Sequence, residues 1–187
     1  MDEKALIKRI VAGETALYRH LVEQYKDLSL TLAYTILANR EEAEDVVQEA
    51  FLKAFRGLGR FRLQSSFATW FYRIVVNTSY HALEKKKYRK TAPLDTLSVT
   101  DTAASNNSLQ EVRQLERRKV ILQVLNRMKP QEALLLKLYY LGEQSVKEIS
   151  VITRLSTANV KIILHRARKS FHIELDDLMG DEKDQLL

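Results

Sequence analysis

NREEAEDVVQEAFLKAF, residues 39–55, is the stretch from which the fold is read. Asn39 is a helix N-cap, and Glu42 three residues on completes a capping-box pattern. Val46, Val47, Ala50, Phe51, Ala54 and Phe55 recur at helical spacing and form one apolar side. Asp45 and Glu49 are four apart and share another side, with Gln48 and Leu52 beside them. Five carboxylates (Glu41, Glu42, Glu44, Asp45, Glu49) crowd this one helix, although the chain carries a formal charge of +6. An acidic patch on a basic chain points to two kinds of partner, only one of them a polyanion.

The helical period continues on both sides of this stretch. Leu6, Ile7, Ile10 and Val11 precede a break at Gly13, and Leu17, Leu21, Leu28 and Leu32 make a second stripe. The helix from Asn39 is expected to run to about Arg56 and to end at Gly57 and Gly59. Ser65 or Ser66 then caps a helix from about Phe67 to Lys87. TAPLDTLSVTDTAASNN, residues 91–107, lacks helical periodicity and reads as a linker. Ser108 and Glu111 open a helix to Met128, and Pro130 suits the first turn of the next, which ends near Gly142. Ser145 and Glu148 form a third capping box, and Ser156 caps the last long helix. The expectation is an all-α chain of two small helical domains, 1–90 and 108–175, joined by a flexible linker at 91–107 and followed by a frayed tail at 176–187.

Composition excludes several chemistries. Cysteine is absent, so there is no disulfide framework or thiolate metal site, and the four histidines show no metal-ligand spacing. No metal, cofactor or small-molecule substrate is expected. No apolar run reaches membrane-spanning length and the start, MDEKALIKRI, is not a signal peptide, so the expected location is the cytoplasm. The acidic cluster lacks an accompanying histidine and suits protein docking better than metal-assisted hydrolysis, so no enzymatic role is expected.

Two constellations point to nucleic acid. Residues 145–171 have the helix–turn–helix arrangement of a short helix, a tight connection and a longer helix. On the second helix Val160, Leu164, Ala167 and Phe171 share an apolar face, while Thr157, Lys161, His165 and Arg168 share another, with Arg166 and Lys169 at its margins. Major-groove readers are built this way, because the groove admits one helix and phosphates flank it. Between Arg56 and Lys90 nine residues are Lys or Arg against the single carboxylate Glu84, with Phe61, Phe67, Trp70, Phe71, Tyr72, Tyr80 and Tyr88 interleaved. That mixture suits single-stranded nucleic acid, although Phe71, Ile74, Val75 and Thr78 fit a core with Trp70 sealing its edge.

AEDVVQEAFLKAF followed by FATWFYRIVVNTSYHALEKKK resembles region 2 of the bacterial extracytoplasmic-function sigma factors of the sigma-70 family. LLLKLYYLGEQSVKEISVITRLSTANVKIILHRARKSF resembles their region 4. The resemblance runs from about Ala5 to Phe171. It implies that Asp45, Gln48, Glu49 and Leu52 dock on the clamp helices of the largest subunit of the RNA polymerase core. It implies that Arg60, Arg62, Gln64, Ser65, Ser66, Phe67, Thr69, Trp70, Arg73 and Asn77 hold the displaced strand of the −10 element. Thr157, Ala158, Asn159, Lys161, His165, Arg166, Arg168 and Lys169 would then read the −35 duplex. An anti-sigma factor, often membrane-anchored, is a further implied partner. Two positions depart from the family pattern: Ile163 stands where an Arg is common, and Ala158 where a Gly is often found. The competing reading is a free-standing DNA-binding regulator, which would bind duplex tightly without polymerase.

Overall fold

The computed structural model describes residues 2–62, 64–89 and 119–184, and among them every regular element is a helix. The linker at 91–107 and the capping box at Ser108 and Glu111 lie outside the described residues. In the N-terminal domain α1 spans Glu3–Val11, α2 Tyr18–Leu37, α3 Arg40–Gly57 and α4 Phe67–Arg89. Gly13, at φ +115, turns the chain after α1 in a conformation that only glycine adopts cheaply. Ala43, Ala50 and Ala54 are fully buried on α3, and such small side chains let helices approach closely. Phe71 sits at the centre, 4.5 Å from the Phe51 ring and stacked 5.6 Å from Phe67.

The C-terminal domain holds α5 at 119–127, α6 at Pro130–Leu136, α7 at Val146–Thr153 and α8 at Thr157–Asp184. Pro130 occupies the first turn of α6, where a missing N–H costs nothing. Beyond Leu136 the helix loosens into a π turn, Lys137–Leu141, in which the Gly142 N–H donates to the Lys137 carbonyl at 2.9 Å. α8 runs well past residue 175, where a frayed tail was expected. The reason is the apolar stripe: after Phe171 it continues through Leu175 and Leu178, and Leu178 is buried.

The two domains are packed together, a question the sequence left open. Lys137 Nζ donates to Thr35 Oγ1 on α2 at 2.7 Å, and Gly142 lies against Leu28 of the same helix. Thr69 on α4 meets Gln144 and Glu148 from the other domain.

Candidate polymerase and nucleic-acid interfaces

Asn39 caps α3 as its sequence demands, its side chain accepting the Glu42 N–H at 2.9 Å. The reciprocal half of the box is missing. Glu42 instead reaches across to Lys86 of α4 in a 2.7 Å ion pair, because α3 and α4 lie side by side. The remaining carboxylates stay outside: Glu44 pairs with Arg40 at 2.9 Å and Glu49 with Lys53 at 2.7 Å, both across one helical turn. Asp45, Gln48 and Glu49 are exposed, and Leu52 beside them is 56% exposed. Val46, Val47, Ala50, Phe51 and Ala54 are buried on the far side, whereas Phe55 rests at the surface against Tyr18, 5.0 Å between ring centres. An exposed leucine on the same face as Asp45 and Glu49 suits a partner that offers cations beside an apolar contact.

Ser66 is the cap of α4, accepting the Thr69 N–H at 3.1 Å. Arg60, Arg62, Gln64, Ser65, Ser66 and Arg73 are exposed, and Asn77 is half-buried. Trp70 is half-buried, stacked 4.9 Å from Phe61 and lying over Gly57, where an added Cβ would come within 3.3 Å of the indole. Gly57 therefore serves close approach as well as helix termination. Two of the −10 candidates are not surface residues. Phe67 is 1% exposed, because the first aromatic of α4 turns inward to stack on Phe71. Thr69 is also 1% exposed, its hydroxyl lying 2.9 Å from Gln144 Oε1 and 3.1 Å from Glu148 Oε1.

The helix–turn–helix forms as its caps dictate. Ser145 Oγ accepts the Glu148 N–H at 3.3 Å, and a Glu148 carboxylate oxygen accepts the Ser145 N–H at 2.8 Å. The hydrogen bond from the Ser145 hydroxyl holds the Glu148 carboxyl below its ordinary pKa. Ser156 Oγ accepts the Asn159 N–H at 3.2 Å and starts α8. Val160, Leu164 and Ala167 are buried beneath it. Thr157, Ala158, Asn159, Lys161, His165, Arg166 and Lys169 are exposed, and Ile163 is half-buried against the core.

Arg168 has a different setting. Its Nε donates to Tyr140 Oη at 2.9 Å, and its guanidinium lies 5.3 Å and 5.8 Å from the Tyr139 and Tyr140 ring centres. These tyrosines were missed from the sequence. Both lie in the π turn, Lys137–Leu141. Beside them runs an apolar groove of about 420 Å³, lined by Ile121, Leu125, Leu141 and Phe171 and edged by Arg168 and His172. Among the described residues no helix is long and apolar enough to cross a membrane.

Sigma-70 region 2 matches residues 21–89, and Sigma-70, region 4 matches residues 118–171. The ECF RNA polymerase sigma factor SigW of Bacillus subtilis is 31% identical over 182 residues, covering 94% of this chain and 97% of its own. The RNA polymerase sigma-H factor of Pseudomonas aeruginosa is 27% identical over 187 residues, covering 96% and 97%. Among solved structures, CnrH in complex with the cytosolic domain of CnrY superposes with a TM-score of 0.63 at 20% identity, over 94% of this chain and 97% of CnrH. The sigma factor RpoE of Bartonella quintana, in complex with the anti-sigma factor NepR, gives 0.66 at 16% identity, over 85% and 96%. At those identities the two structures share the fold.

Proposed function

The chain belongs to the extracytoplasmic-function group of RNA polymerase sigma factors, and from that premise we propose how its surfaces divide the work of promoter recognition. The acidic face of α3 docks on the clamp helices of the polymerase largest subunit through Asp45, Gln48, Glu49 and Leu52. The loop after Gly57 and the start of α4 hold the displaced −10 strand, with Arg60, Arg62, Gln64, Ser65, Ser66, Trp70, Arg73 and Asn77 in reach of it. The exposed face of α8 enters the −35 major groove, where Thr157, Ala158, Asn159, Lys161, His165 and the tyrosine-clasped Arg168 face bases, and Arg166 and Lys169 face phosphates. Ile163, half-buried, makes no polar contact there, so that base step is read less stringently. The chain brings recognition and strand opening to the core enzyme and no catalytic chemistry of its own. It works in the cytoplasm under the control of an anti-sigma partner, as the solved complexes of sigma factors with such partners support.

One observation carries this reading. α3 buries Val46, Val47, Ala50, Phe51 and Ala54, yet presents Asp45, Gln48, Glu49 and the apolar Leu52 together to solvent. Leu52 gives that acidic face an apolar contact that a basic partner surface can cover. The test is co-migration of the purified chain with bacterial core RNA polymerase on a sizing column at moderate salt. A stoichiometric complex that disappears in D45R/E49R is the expected result. A chain that runs alone and shifts duplex DNA tightly by itself would make it a free-standing regulator.

A further inference from the structure

Four polar side chains from separate parts of the chain line one cleft of about 190 Å³: Tyr34 of α2, Arg40 of α3, Asn126 of α5 and Lys137 of the π turn. Leu30 and Leu122 add apolar lining. Among the described residues no carboxylate lines it. Pockets for drug-sized molecules start at about 300 Å³, so this volume suits an ion.

These groups hold donors in reserve. Lys137 is 1% exposed, and its ammonium donates once, to Thr35 Oγ1 at 2.7 Å. An ammonium carries three N–H donors, so the others remain available. Arg40 is exposed, and its Nε donates to Glu44 at 2.9 Å, while its two terminal nitrogens have no partner among the described residues. The Tyr34 hydroxyl and the Asn126 amide have none there either. Glu44 offsets part of the Arg40 charge, whereas Lys137 makes no ion pair among the described residues. A buried charge without a counter-ion is costly, and an anion in this cleft would offset that cost.

We propose that this cleft binds a small oxyanion of the phosphate class, with Lys137 as its buried counter-charge and Arg40, Tyr34 and Asn126 as its further donors. The residue types match that ligand. A guanidinium offers phosphate oxygens two parallel N–H groups, and an ammonium offers a compact point charge. A hydroxyl and an amide complete the set, so each ligand oxygen can accept a hydrogen bond. Tyr34 and Arg40 belong to the N-terminal domain, Asn126 and Lys137 to the C-terminal one, so the anion is held only where the two meet. None of the four is among the residues assigned to polymerase or to DNA, and the site does not rest on those assignments.

The test is the melting of the full chain, followed by circular dichroism, against rising inorganic phosphate, with chloride holding the ionic strength constant. A ligand that binds the folded chain raises Tm along a saturation curve, from which its dissociation constant is read. General salt effects on stability are shared by every variant and are subtracted. Wild type should show the saturable rise. Arg40→Gln removes one charged donor and should raise the dissociation constant roughly tenfold. Lys137→Met keeps the aliphatic stem, removes the buried charge and should lose the saturable rise altogether. No saturable rise in wild type overturns the site. So does an unchanged dissociation constant in either variant, which would put the phosphate on another basic surface such as that of α8. Arg40 is exposed and its replacement leaves the core intact, so it decides the matter even if Lys137→Met does not fold.

Discussion

Lys137→Met also tests the cost of the buried amine through stability alone. Burial lowers the pKa of the Lys137 ammonium from 10.5 to about 8. At about 1.4 kcal/mol per pH unit, that opposes the packed chain by at most about 3 kcal/mol at neutral pH. The variant also loses the 2.7 Å bond to Thr35, which contributes about 1 kcal/mol net. Thr35 still donates to the Thr31 carbonyl, so no buried donor is stranded. The net expectation at neutral pH is a gain of about 2 kcal/mol, or roughly 5 °C in Tm for a chain of this size. The pH dependence has a definite sign. The pKa is lower in the packed chain than in the unfolded one, so the penalty is full below about 8 and fades as pH rises toward 10.5. Wild type should therefore gain about 2 kcal/mol relative to the variant between about pH 7 and about pH 9.5, and the two melting curves should converge. Circular-dichroism melts at both pH values measure it. A variant no more stable than wild type at neutral pH, with a gap that does not change with pH, would refute the argument that this amine is desolvated.

Three further outcomes are expected. D45R/E49R should lose association with core polymerase while its far-ultraviolet spectrum stays that of wild type, since both residues are exposed on α3; retained association would remove the docking role of that face. Ser145→Ala should lower stability by about 1 kcal/mol, because it deletes the cap of α7, and an unchanged urea midpoint would mean that packing alone sets this helix start. Arg168→Ala should weaken initiation at promoters with a −35 element and spare templates without one. Equal loss on both would assign Arg168 to its clasp with Tyr139 and Tyr140 rather than to DNA.

Much of this protein is written in short sequence intervals. The caps at Asn39, Ser66, Ser145 and Ser156 each bind an N–H three residues away, so four helix starts follow from local hydrogen bonding. The acidic face of α3 follows from i, i+4 spacing, and the apolar faces of α3 and α8 from the same period. α8 continues past residue 175 because Leu175 and Leu178 prolong the stripe of Val160, Leu164, Ala167 and Phe171, and packing shows Leu178 to be buried. What tertiary structure alone decided spans far greater separations. Thr69 meets Gln144 and Glu148 across 75 and 79 residues, and Lys137 meets Thr35 across 102. No periodicity encodes such contacts, since a residue's period names the face it occupies but not what covers that face. Thus Phe67 and Trp70, three apart on α4, take a core role and an edge role according to where Phe71 and Phe61 lie. Thr69, which the resemblance sets among the −10 contacts, is covered by Gln144 and Glu148 of the second domain, a contact that no local interval announces.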